Sequence, residues 1–181
     1  MILAVVFVLP MIVIAGSSYY GCDSCHVPHH ADTEDIGMPL WNPERNVDMS
    51  HLTPYSSDTL DASPGTPDGI SKMCLSCHDG TGSHSAPGEG GNFHNDITNM
   101  HPVSFVYDST LATTDGELRD PASSITPIGG TIEDEMLVNG KMQCSSCHDP
   151  HVQAVVAEGL LRVANEHGPG GSQLCKTCHI K

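Results

Sequence analysis

Basic residues are scarce in this 181-residue chain, with seven Lys and Arg against 22 Asp and Glu, a formal charge of −15. That balance argues against nucleic acid or an anionic membrane surface as a partner. It fits a solvated acidic surface, or one that steers a basic or cationic partner. Aromatic residues are few as well: three Phe, four Tyr and one Trp. Gly and Pro, at 18 and 13 residues, interrupt the apolar sequence. Such a chain builds a thin side-chain core with much irregular backbone, so something besides side chains is expected to fill the middle. No segment repeats at a fixed interval. The Gly-rich stretch 80–92 lacks the Lys-Ser/Thr ending of a phosphate loop, which leaves a nucleotide reading without its chemistry.

Long apolar runs are missing except at residues 1–15, "MILAVVFVLPMIVIA". A membrane-spanning helix needs about 20 residues, and Pro10 interrupts this run. Its length fits the apolar region of a secretory signal, and Val13-Ile14-Ala15 before Gly16 suits a cleavage site. The expectation is a signal peptide or apolar N-terminal segment over 1–15 and a single domain over 16–181. The domain is exported and has no stable membrane insertion.

No cysteine is left over from four frames of one form. They are Cys22-Asp-Ser-Cys25-His26, Cys74-Leu-Ser-Cys77-His78, Cys144-Ser-Ser-Cys147-His148 and Cys175-Lys-Thr-Cys178-His179. C-x-x-C-H is the attachment signature of c-type haem. Each thiol adds to one vinyl group, and the histidine is held against one face of the ring. A disulfide framework would not place His after every second Cys. A zinc ribbon would leave four adjacent histidines unexplained, and thioredoxin-like redox motifs do not come in fours in one small chain. The cofactor reading is four covalently bound haem c groups, with His26, His78, His148 and His179 as proximal iron ligands. Covalent haem would also fill the thin core.

Removing those four from the 12 histidines leaves His29, His30, His51, His84, His94, His101, His151 and His167. Bis-histidine ligation at every iron needs half of them; the methionines could also ligate, but Met38, Met49, Met73 and Met142 suit packing better. A histidine three residues after a proximal one sits on the same side of its own haem. It cannot easily reach the opposite face of that iron, so if it ligates, it ligates another haem. His29 and His151 both stand in that position. The distal set read here is His29, His51, His101 and His151. His51 rests on the weaker argument, His30 reads as a bystander, His84 and His167 as exposed, and His94 as a competitor.

Short helices are expected at the C-x-x-C-H frames, a short strand in 102–107, a small hairpin within 129–143 around Asn139-Gly140, and helix or extended chain over 152–164. Glu133-Asp134-Glu135 reads as a solvated face. The fold class is mostly irregular chain with short α-helices and few short strands, a small multihaem cytochrome c fold organised around a stacked chain of four haems.

Longer stretches carry a resemblance. "CHVPHHAD", "YSSDTLDASPGTPDGISKMCLSCHDGT", "HPVSFVYDSTLATTDGELRDP", "GGTIEDEMLVNGKMQCSSCHDPH" and "LLRVANEHGPGGSQLCKTCH" resemble, in order, the OmcE-like tetrahaem cytochromes across about residues 22–181. The resemblance implies bis-histidine haems and subunits polymerised head to tail into extracellular filaments. It also implies one axial histidine donated across the subunit boundary, and conduction of electrons away from the cell. It supports His29, His101 and His151, and carries His51 less securely. The expected partners are copies of the chain itself, other multihaem cytochromes or external acceptors. The alternative is a soluble monomeric periplasmic shuttle. An enzyme would need an open iron position, which the surplus of histidines argues against.

Overall fold

The computed structural model describes residues 21–34, 40–80, 93, 96–151, 160–165 and 171–180. The apolar segment 1–15, His84, His94, His167, Met38 and most of 152–164 lie outside these residues. Regular structure is sparse. The helices are α1 (Gly69–His78), α2 (Ser109–Asp115), α3 (Ile132–Met136), α4 (Cys144–Cys147) and α5 (Gln173–Cys178), with 3-10 turns at Cys22–Ser24 and Pro43–Arg45. Strands β1 (Phe105–Val106) and β2 (Lys141–Met142) pair antiparallel, Phe105 opposite Met142. Among the described residues no helix is long and apolar enough to cross a membrane.

The expected strand is thus two residues long, and the expected turn is present. Asn139 and Gly140 both have positive φ, 53° and 72°, as a two-residue type I′ turn requires. Val138 and Lys141 exchange backbone hydrogen bonds across it, at 3.1 and 3.0 Å. The N-terminal half of the expected hairpin is instead α3. Thr131 caps it by accepting from the Asp134 N–H at 3.1 Å, and Glu133, Asp134 and Glu135 fill its first turn, where negative charge suits the helix dipole. Local capping made that half a helix. In the described part of 152–164 the chain turns at Leu160, whose φ is 58°, and Leu161 is bridged to His148.

The core is thin and divided. One cluster gathers Phe105, Tyr107, Ala112, Ile132, Met136, Leu137, Met142 and Val163, with Cys178 against its edge. A second holds Met49, Leu52, Leu75 and Ile97. A third is only Trp41 and Met73, touching Cys25 and Cys74. Each cluster abuts a C-x-x-C-H frame or the helix that carries one. Met49, Met73 and Met142 are buried as packing residues. Tyr107 ties the first cluster to the segment 117–119, its hydroxyl donating to the Arg119 carbonyl at 2.5 Å; burial raises its pKa.

Candidate haem-binding sites

Each frame sits on a helical turn, so its two cysteines and its histidine project to one side. The His26 N–H donates to the Cys22 carbonyl at 2.8 Å, His148 to Cys144 at 3.0 Å and His179 to Cys175 at 2.8 Å; the second frame ends α1. All eight cysteines are free thiols. Cys74 and Cys144 hydrogen-bond to each other, which raises Cys74 with the help of burial and lowers Cys144 against it. Burial pushes Cys147 up, and Cys178 up to about 12. These sulfurs stand in for thioethers, which do not titrate once haem is attached.

Three frames share one backbone clamp. The residue after the proximal histidine donates its N–H to the first residue of a remote three-residue segment, and the last residue of that segment donates to the second cysteine. In the first frame Val27 donates to Leu40 at 2.9 Å and Asn42 to Cys25 at 2.8 Å. In the third, Asp149 donates to Leu160 and Arg162 to Cys147, both at 2.8 Å. In the fourth, Ile180 donates to Glu117 at 2.9 Å and Arg119 to Cys178 at 2.8 Å. The middle residues, Trp41, Leu161 and Leu118, face His26, His148 and His179 as antiparallel bridges. The last residue's side chain then reaches the carbonyl after the first cysteine. Asn42 Nδ2 is 3.1 Å from Asp23 O, Arg162 Nη1 3.4 Å from Ser145 O, and Arg119 Nε 2.9 Å from Lys176 O. This clamp escaped the sequence reading. Its signal is small: Leu-Arg at 118–119 and 161–162, and Trp-Asn at 41–42.

The second frame is held from within α1 and by a polar network to the third. Ser71 N–H donates to Gln143 Oε1 at 2.9 Å, Cys144 N–H to Ser71 Oγ at 3.0 Å, and Gln143 Nε2 to Asp68 Oδ1 at 3.0 Å. Lys141 Nζ reaches the other Asp68 oxygen, and the Asp68 N–H donates to Ser104 Oγ at 3.0 Å. Gly69 opens α1 at φ +50°, where a Cβ would meet Gln143 Nε2 at 3.5 Å. Burial pushes the Asp68 carboxyl up, but the Lys141 and Gln143 bonds outweigh it and leave its pKa lowered.

The distal candidates separate by geometry. Two imidazoles bound end-on to one metal ion through bonds of about 2 Å have ring centres about 6 Å apart. His26 and His151 stand 6.1 Å apart with planes 20° from parallel, and His101 and His179 stand 6.4 Å apart at 76°. Both separations are compatible with an iron between the rings. In the rings of both distal candidates, His101 and His151, Nδ1 is engaged, leaving Nε2 for metal. His101 Nδ1 meets Pro102 O at 2.9 Å and His151 Nδ1 meets Asp149 Oδ1 at 3.3 Å. His51 has the opposite arrangement, with Nε2 3.1 Å from Oδ2 of buried Asp79, the residue after His78. His29 and His30 are exposed and make no hydrogen bond or ring contact among the described residues. His78 packs against Phe93, ring centres 6.2 Å apart.

Trp41 stacks on His26 at 4.6 Å and 21°. Its indole N–H is buried with no partner among the described residues, an unmet donor that fits a site whose last polar partner arrives with its cofactor. Among the described residues no three His, Cys, Asp or Glu side chains converge as a bare metal ion would need. The donors come instead as thiol pairs and opposed imidazoles, a set that fits haem.

These features define the class: a multihaem c-type cytochrome, an electron-transfer protein with covalent haem c on its C-x-x-C-H frames, the eight cysteines having room for up to four. The family model for a doubled CXXCH motif matches residues 136–181, which hold the third and fourth frames. No curated protein and no solved structure matches the chain.

Proposed function

We propose that this chain is an OmcE-like tetrahaem cytochrome, the repeating subunit of an extracellular filament that conducts electrons from the cell to external acceptors. Bound haem supplies a one-electron iron couple. The chain supplies the thioether sulfurs, the axial nitrogens and the spacing between sites. His151, carried on the third frame's peptide, faces His26 of the first, so one side chain couples two sites and holds them close. His101 serves the site of His179. His51, next to Asp79, is assigned to the site of His78.

His29 carries the filament reading. It lies three residues past His26, is exposed, and makes no bond among the described residues. In this reading it ligates iron in a neighbouring copy. Head-to-tail contacts of that kind propagate without closing. Replacing His29 with alanine is expected to leave soluble protomers, each with one five-coordinate haem, as read by negative-stain microscopy and the ferric absorption spectrum. Intact filaments from His29→Ala, His30→Ala and the double variant would contradict the reading. A native protein that elutes as a monomer at all concentrations would favour the periplasmic shuttle.

A further inference from the structure

The chain has three arginines, Arg45, Arg119 and Arg162. Each donates to a carbonyl inside a C-x-x-C loop. Arg45 Nε is 2.8 Å from Ser24 O, Arg119 Nε 2.9 Å from Lys176 O, and Arg162 Nη1 3.4 Å from Ser145 O. Arg162 Nη1 also bonds the Glu135 carbonyl. Arg45 is 5% exposed, and its Nη1 lies 3.6 Å from Cys77 Sγ, the stand-in for a thioether of the second site. Among the described residues none of the three pairs with a carboxylate, although the chain has 22 acidic residues.

That placement runs against ordinary electrostatics. An arginine in so acidic a chain has carboxylates available, and a buried guanidinium without an anion, as at Arg45, is costly. Three of three fall instead on the covalent edges of haem sites. Reduction from iron(III) to iron(II) adds one electron to such a site, and a fixed positive charge nearby favours the reduced form.

We propose that Arg45, Arg119 and Arg162 are positive charges fixed to the covalent edges of the first, fourth and third haem sites, where each raises the reduction potential of the haem its loop holds. The clamp provides its own control. Asn42 occupies in the first frame the position that Arg162 and Arg119 occupy in the third and fourth, and makes the equivalent side-chain bond. Asparagine is therefore compatible with the clamp and removes the charge, along with the Arg162 bond to the Glu135 carbonyl. Frame one, with its neutral Asn42, receives its cation from Arg45.

The inference rests on the haem reading, so haem content is measured first, by intact mass, in the wild type and in each variant. Arg162→Asn, Arg119→Asn and Arg45→Gln are then titrated spectroelectrochemically between dithionite and ferricyanide. In each fully loaded variant one midpoint is expected to move to lower potential, and a different one in each. Arg119 is exposed, so its shift shrinks in about 1 M salt, whereas the shifts from Arg45 and Arg162 persist. Arg162→Lys, which keeps the charge, restores most of the lost potential. Unchanged midpoints in fully loaded variants, or a lysine variant no better than asparagine, would overturn the inference. A wild-type chain lacking haem would sink the haem reading itself.

Discussion

Replacing His151 with alanine is expected to turn one low-spin haem high-spin, and the haem affected is the one held by Cys22 and Cys25. The substitution is three residues from His148, so a local effect would strike the third site. The ring geometry says otherwise: His151 faces His26 at 6.1 Å with its Nδ1 turned to Asp149. The check is the ferric absorption spectrum of His151→Ala in two backgrounds. In the wild-type background a high-spin component of one haem appears. In a Cys22→Ser/Cys25→Ser background, which lacks that haem, the same substitution leaves the spectrum unchanged, because the two changes act on one site. A high-spin signal that persists in the second background would place His151 elsewhere.

Replacing Gln143 with alanine should have the largest effect on stability. Gln143 is 2% exposed and Ser71 is fully buried. The amide accepts from Ser71 N–H and donates to Asp68, so its loss strands a buried donor between α1 and α4, the helices of the second and third frames. A buried polar group left unpaired costs about 1–3 kcal/mol, and the truncated side chain adds to that. The expected loss is about 2–4 kcal/mol, read from thermal unfolding followed by circular dichroism. The same network is acid-sensitive. The folded-state pKa of Asp68 lies below its unfolded value of 3.8, so its contribution is full above that pH and disappears as pH falls through the lowered folded value. Asp68→Asn removes that part of the acid dependence. A Gln143→Ala protein with an unaltered melting curve would show that the network does not hold the two frames together.

The haem frames were legible in the sequence because covalent attachment demands fixed residue types at fixed spacing. The same logic of reach and side assigns His151 to another haem's iron, and the His151→Ala spectra decide that assignment. The helix α3 was missed because the Asn139-Gly140 turn suggested a hairpin, whereas Thr131 and an acidic first turn start a helix there. The clamp was not legible at all. Its partners are separated by 16 residues at the first frame (Asn42 from His26) and by 60 at the fourth (Arg119 from His179), and backbone N–H groups impose no residue type. Only its last residue leaves a trace, as Asn or Arg able to bond a carbonyl. His51 rested on the weaker sequence argument, as a single polar residue in a loop. The structure separates it from His29 by its bond to Asp79, for which His29 has no counterpart among the described residues.

Haem stoichiometry tests the account most directly. Intact mass and pyridine haemochrome absorbance of the purified protein should give four covalent haems per chain, falling to three in Cys74→Ala/Cys77→Ala and in each corresponding frame variant. Cysteines recovered as disulfides or free thiols in that protein, with iron or zinc bound in place of porphyrin, would contradict it.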